Sequence, residues 1–285
     1  MRGERGKTFR SGLGLILVFC VPSLQAQSIR SYEYARSYRG EKQLRAEVEF
    51  AAGKLALGSG SSDQLYRLSL QYDAERFQPL GSYDAGAGMV RLGVEGVRGG
   101  IRVGLKHALP QTALLDFSKA VELSLDISLG AAEAELELGS YRLAELELKS
   151  GASRTVVSFA KPNPGHCRKA SVSSGAGEIT VLGLGNSGCP AWEFDGGVGS
   201  VTIDLDGAWP ADGRIELKVA LGGIKLIAPR GLGIQVEMNG FLAGFDAKGF
   251  SKSGKTYASA GYDAAKRKIA VEVSSALGGV SVEWK

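Results

Sequence analysis

Short bursts of alternating apolar and polar residues recur along the chain, and each follows a cluster of glycine or other small residues. SGAGEITV (Ser174–Val181), GGVGSVTI (Gly196–Ile203), VALGGIKL (Val219–Leu226) and SALGGVSV (Ser275–Val282) are the clearest cases. Take Gly177, Gly199, Gly222 and Gly278 as the reference position of each. LGAAEAEL then contributes Ala132, SGASRTVV contributes Ser153 and FLAGFDA contributes Ala243, at successive intervals of 21, 24, 22, 23, 21 and 35 residues. Two positions after the reference stand Ala134, Thr155, Ile179, Val201, Ile224, Phe245 and Val280. Four positions after it stand Leu136, Val157, Val181, Ile203, Leu226, Ala247 and Val282. The residues between these columns are mostly polar, so each burst predicts a strand with one buried face.

A second strand is predicted before each small-residue turn, over 143–148, 170–173, 215–219, 234–238 and 269–273. Two strands in about 22 residues form one rung, which cannot bury its apolar face alone. Stacking rungs about 4.8 Å apart aligns the columns and pairs the backbones. Small residues at the turn permit positive φ or close backbone approach. An antiparallel sandwich repeats every 8 to 12 residues and does not account for columns at this spacing. The expected fold is all-β: a single-stranded, solenoid-like stack of β-repeats with an N-terminal β-domain. That N-terminal half is less regular. AAGKLAL (51–57) and GAGMVRL (86–92) resemble the same unit, and between them a strand over 65–72 and the turn YDAERFQP predict a hairpin. An insertion around 250–262 lengthens the last interval.

The N-terminus has the order of an export signal. Arg2, Arg5, Lys7 and Arg10 precede the apolar stretch LGLILVFCV (13–21), Pro22 and Ser23 break it, and Ala26 is a small residue suited to cleavage. The stretch is too short for a stable membrane anchor, and Phe19 before Cys20 argues against lipidation. Three segments are expected: a signal peptide at 1–26, an N-terminal β-domain at 27–122 and a C-terminal repeat domain at 123–285. No later segment is apolar enough to cross a bilayer, so the expected location is the periplasm, cell surface or extracellular space.

The whole chain carries +4. Four leader cations and Glu4 account for +3 of that, leaving about +1, which is not the footprint of a nucleic-acid binder. Hydrophobic residues make up 44%, enough for a real core, and the 41 glycines fit many tight turns.

The candidate chemistry is sparse. His107 and His166 are far apart and no GxSxG motif accompanies them. His166, Cys167 and Cys189 are too few for a zinc site, so no metal or cofactor is expected. Carboxylates such as Glu133, Glu135, Glu137, Glu145, Glu147, Asp204 and Asp206 fall on outward alternation. Cys167 and Cys189 are 22 residues apart, one repeat period, and each stands ten residues before its reference glycine. Equivalent positions on adjacent rungs lie within disulfide reach, so this pair is expected to be bridged after export. Arg30, Tyr32, Tyr34, Arg36, Tyr38 and Arg39 mix cations with aromatics and form the candidate contact patch, suited to anionic glycans or headgroups.

The order ALGGIKLIAPRGLGIQVEMNGFLAGFDAKGF followed by SALGGVSVEW resembles the toast-rack β-repeat domain, also found at the C-terminus of LiaF-type cell-wall-antibiotic response proteins. The first half resembles the N-terminal toast-rack domain. The resemblance implies a bacterial envelope protein with no catalytic residues to carry over. Its expected role is binding or structural, linked to envelope stress, with an envelope protein or glycan as partner. The transmembrane helices that precede this domain in LiaF-type proteins have no counterpart here. A carbohydrate-active enzyme of the β-helix kind, or a glycan-binding module, is the alternative.

Overall fold

The computed structural model describes residues 28–97, 111–240, 242–246 and 248–285. The expected signal peptide, His107 and Ala247 lie outside these. In chain order the strands are β1 (Ile29–Ser37), β2 (Gln43–Leu57), β3 (Gln64–Asp73), β4 (Phe77–Asp84), β5 (Met89–Gly96), β6 (Thr112–Phe117), β7 (Glu122–Glu137), β8 (Arg142–Ser158), β9 (Lys169–Leu182), β10 (Ala191–Asp204), β11 (Gly213–Ala228), β12 (Gly233–Met238), β13 (Leu242–Asp246), β14 (Phe250–Ser253), β15 (Thr256–Ser259) and β16 (Lys268–Trp284). Among the described residues there is no α-helix. The protein is an all-β, solenoid-like stack.

Its body is seven parallel strands in the order β2-β7-β8-β9-β10-β11-β16. Each is 14 to 17 residues long and bent in the middle. The bend is visible as a change of phase. In β10, Trp192 and Phe194 are buried before the bend, Val201 and Ile203 after it, and Gly199 with φ 148° lies between. A straight strand would turn the second half outward. The reference glycine resets the alternation, so both arms of each rung face one continuous core.

Gly177, Gly199, Gly222 and Gly278 are in register and all have φ between 145° and 154°. A Cβ at Gly199 would run into the carbonyl oxygen of Gly177, and one at Gly222 into that of Gly199. Backbone pairing continues straight through this position, so the predicted turn is a corner within a paired strand rather than a loop.

Both apolar columns are present. Ala134, Thr155, Ile179, Val201, Ile224 and Val280 are successive partners, as are Leu136, Val157, Val181, Ile203, Leu226 and Val282. Their order departs from sequence order at one place. β16 pairs directly with β11, and β12 and β13 pair with the far side of β16, so Gly278 stands between Gly222 and Ala243. The reason is edge length. β16 matches β11 along both arms, whereas β12 and β13 supply a short arm each.

The N-terminal half caps one end. β5 pairs with the first arm of β2 (Arg45↔Met89 to Phe50↔Val94) and β6 with the second (Lys54↔Thr112 to Leu57↔Leu115), so two strands make one divided rung. The hairpin expected after residue 72 is not formed as such. The turn at 74–76 is present, but β3 pairs with β1 and β6, while β4 pairs with β5. The segment is a corner between the two arms. At the other end the insertion forms the β14–β15 hairpin, where Phe245 packs on Phe250 and Tyr257, and Phe250 on Trp284.

The connections between rungs carry the cysteines. Cys167 and Cys189 are buried and disulfide-bonded, with Cα atoms 4.6 Å apart. A bridge closing about 22 residues stabilises by roughly 3 kcal/mol in the chain-entropy model. Cys167→Ala/Cys189→Ala, compared with the oxidised parent by thermal melting, is therefore expected to melt about 5–10 °C lower. An unchanged melting temperature would show that the bridge contributes nothing.

Candidate functional site

Outward alternation places charged side chains on the first arm of every rung. Six positions before the reference residue stand Glu47, Asp126, Glu147, Ser171, Glu193, Glu216, Glu272 and Glu237, in that spatial order and in backbone register. Seven of these eight are carboxylates, one rung apart, an arrangement that repels itself unless cations intervene. Cations do so from the flanking columns and, on β5, from the same column. Lys149 reaches Glu147 at 2.7 Å and Lys218 reaches Glu216 at 2.7 Å. Arg214 bridges to Glu272 at 2.9 Å, and Arg91 contacts both Glu47 and Glu49. The face is a solvated lattice of largely paired charges, with a shallow depression lined by Arg45, Asp126, Glu145, Glu147 and Lys169.

The second arm repeats the device over the first rungs. Lys54, Glu133, Arg154 and Glu178 stand in register, with Lys54–Glu133 and Arg154–Glu178 both at 3.0 Å. At the far end Lys225 pairs with Glu283 at 2.5 Å. Lys285 binds the mostly buried Asp204 at 2.6 Å and so ties down the last residue.

The carboxyl groups of Glu133, Glu147, Glu216 and Glu283 are each held below the ordinary glutamate range by the lysine that donates to them: Lys54, Lys149, Lys218 and Lys225 respectively. These groups favour the ionised form, opposite to what a general acid requires. The sign of the pH effect follows. A lowered folded-state value gives stability that is present above the unfolded glutamate value and is lost as pH falls through the folded one. Melting temperature should hold between pH 6 and about 4.5, then drop below about pH 4, and the drop should shrink in 1 M salt. A flat profile down to pH 3 would show that these pairs add nothing.

The candidate contact patch divides. β1 is the outermost strand at the N-terminal end. Tyr32, Tyr34 and Arg36 alternate toward the core and are half-buried, and Tyr38 packs at its margin. Tyr32 stacks on Tyr34 with ring centroids 6.4 Å apart, and Tyr34 stacks on Tyr66 at 5.6 Å. The Arg36 guanidinium lies 4.5 Å from the centre of the Tyr83 ring and 3.7 Å from Glu41. Burial pushes the Tyr32 and Tyr66 hydroxyls up from their ordinary range. These side chains close the end of the core over Gly81, while Arg30 and Arg39 are exposed.

His166 is exposed on the 159–168 connection. Among the described residues no cluster of three or more His, Cys, Asp or Glu could hold a metal ion. Glu145 binds Arg168 at 3.2 Å, and Glu137 accepts from Ser158 at 2.7 Å and from the Gly139 amide at 2.8 Å. Among the described residues no helix is long and apolar enough to cross a membrane.

A family model, the N-terminal domain of toast_rack, DUF2154, matches residues 25–182, more than half of the 285-residue chain. No curated protein matches. Among solved structures, a candidate cell adhesion protein from Clostridium sporogenes ATCC 15579 is 16% identical, with a TM-score of 0.45, covering 90% of this chain and all of that one. A candidate adhesin from Bacteroides fragilis NCTC 9343 is 11% identical, with a TM-score of 0.33, covering 90% of this chain and 98% of that one.

Proposed function

The chain belongs to the toast-rack family through its N-terminal domain, and from that premise we propose that it is a non-catalytic, exported cell-envelope protein whose stacked β-repeat surface binds a partner. The observation that carries this reading is the state of its carboxylates. Glu133, Glu147, Glu216 and Glu283 are committed to ion pairs that favour the charged form. They stand on the outer faces, and the shallow depression beside Glu147, lined also by Asp126 and Glu145, holds Arg45 and Lys169 as well, so its acids are offset by cations rather than set up as the acid and nucleophile that glycan cleavage requires.

Export is supported by the basic, apolar and small-residue order of residues 1–26. The disulfide fits an oxidising compartment. The partner class this surface suits is an envelope protein or a charged glycan, because in-register charge columns offer electrostatic matching along a line. A LiaF-like C-terminal half and a link to envelope stress belong to the same proposal, on the resemblance of residues 219–284.

The test is crosslinking in intact envelopes of cells expressing the full chain, followed by identification of the crosslinked partner. Glu193→Gln/Glu216→Gln, which removes two charges from this face without setting cations beside Lys218 and Lys169, should reduce recovery of that partner while the melting temperature stays close to the parent's, and the purified protein should release no sugars from envelope glycans. Cytoplasmic fractionation of the full chain, or glycan cleavage that survives repurification, would overturn the reading.

A further inference from the structure

The bent corner of the stack changes character along its length. One residue before the reference position the rungs carry Ala131, Ala152, Ala176, Val198, Leu221 and Leu277. From Ala152 to Leu277 these are direct register partners. The last three are 54%, 47% and 46% exposed. Isolated exposed apolar residues are ordinary, but three in adjacent register form a continuous ridge.

One residue after the reference position the same rungs carry Lys54, Glu133, Arg154 and Glu178, then Ser200, Gly223 and Gly279, with Gly244 beyond. Beside the ridge, the charged ladder thus gives way to one small side chain, Ser200, and then to bare backbone. These glycines differ from those of the reference column. Gly223 and Gly279 do not have positive φ. A Cβ at Gly223 would meet nothing within 4 Å, and one at Gly279 only the Gly244 carbonyl at 3.9 Å. Neither conformation nor internal packing asks for glycine there, although glycine weakens a strand. Glycine inside a strand marks a bulge, a tight bend or close approach by another backbone or a ligand; here the bend is made by the preceding positive-φ glycines, Gly222 and Gly278, and the pairing runs on without a bulge, which leaves close approach.

We propose that this ridge and trough form the interface of a parallel, side-by-side homodimer. Ridge and trough are adjacent columns of one chain with the same pitch. A twofold axis parallel to the stack exchanges them, laying Leu221 of each copy over Gly223 of the other and Leu277 over Gly279. The partner must present apolar side chains in a straight line about 4.8 Å apart, the spacing of paired strands. Same-face residues along a single extended strand are about 6.7 Å apart and fall out of step within two rungs. The charged ladder of the first rungs bounds the contact. The patch spans three to four rungs, or about 15 Å, which is small for an interface and implies a weak, concentration-dependent dimer.

The inference is independent of what the outer faces bind. It is tested on the purified, oxidised protein by sedimentation velocity from about 5 to 500 µM, with a dissociation constant expected in the range of about 10–100 µM. Gly279→Val fills the trough with a strand-favouring residue. It should leave the melting temperature unchanged or higher while weakening the dimer at least about tenfold. Leu221→Cys/Gly223→Cys should oxidise to a covalently linked dimer, and Leu221→Cys alone should not. Several results would overturn the proposal: a monomer at every concentration, a Gly279→Val protein that dimerises like the parent, or crosslinking by Leu221→Cys alone. Association of a monomeric protein with phosphatidylglycerol vesicles, abolished by Leu221→Asp, would assign the ridge to lipid and likewise overturn it.

Discussion

Gly199→Ala is expected to destabilise the stack by about 4 kcal/mol or more, although it adds one methyl group at a partly exposed corner. Two effects add. The backbone there has φ 148°, a conformation that costs a residue with a Cβ roughly 1–3 kcal/mol. The new Cβ would also collide with the carbonyl oxygen of Gly177 on the rung below. Relief is blocked because the same contact recurs at Gly177, Gly222 and Gly278, and moving one rung drives it into the next. For a domain of this size the loss corresponds to a fall of roughly 10–15 °C in melting temperature. Gly223→Ala is the control, one residue past the next corner, where φ is ordinary and the space is open. It should be neutral or slightly stabilising, because alanine has less backbone entropy to lose on folding. Matching melting curves for the two variants would show that the corner does not close on backbone.

This contrast marks where the sequence was legible. A side chain that points inward on every rung must be apolar, and a corner that stacks on carbonyls must be small. Both constraints repeat at the rung period, so Ile179, Val201 and Ile224 fall into one column, and Gly177, Gly199 and Gly222 into another, before any coordinates are known. Cys167 and Cys189 are legible for the same reason, as their separation is one rung. The acidic line was within reach too, since Asp126, Glu147, Glu193, Glu216 and Glu272 each stand six residues before their reference position. What the sequence does not encode locally is which rung neighbours which. β16 takes the place beside β11 because it alone offers a partner along both arms, whereas β12 and β13 hold one arm each. That is a competition between edges and leaves no mark in either segment. The sharing of one rung by β5 and β6 is hidden in the same way. Tyr32, Tyr34 and Arg36 share a parity that shows in IRSYEYARS, yet whether their side faces solvent or core depends on β4 lying opposite.

The assigned alternation itself is open to a two-residue experiment in β10. Ile203 is fully buried between Val181 and Leu226 in register, and both neighbours are buried as well. Ile203→Asp removes an apolar side chain from this column and places a carboxylate where no cation is in register. Loss of the buried side chain costs roughly 2–5 kcal/mol, and the unpaired charge adds several more unless it takes up a proton. The sum rivals the 5–15 kcal/mol that a domain has in total, so the variant should be largely unfolded or melt far below the parent. Thr202 is the adjacent residue, half-exposed on the outer face, with Thr180 and Lys225 as its register partners. Thr202→Asp brings an anion beside a cation already present and should change stability by no more than about 1 kcal/mol. In a stack each rung touches mainly its neighbours, so the damage from Ile203→Asp should also be graded in space. Amide hydrogen exchange should show lost protection first in β9, β10 and β11, with β2 and β7 affected later or at higher temperature. Similar melting curves for Ile203→Asp and Thr202→Asp would refute the inward and outward assignment. Uniform loss of protection from β2 to β16 would show that the rungs fold as one cooperative unit rather than as coupled neighbours.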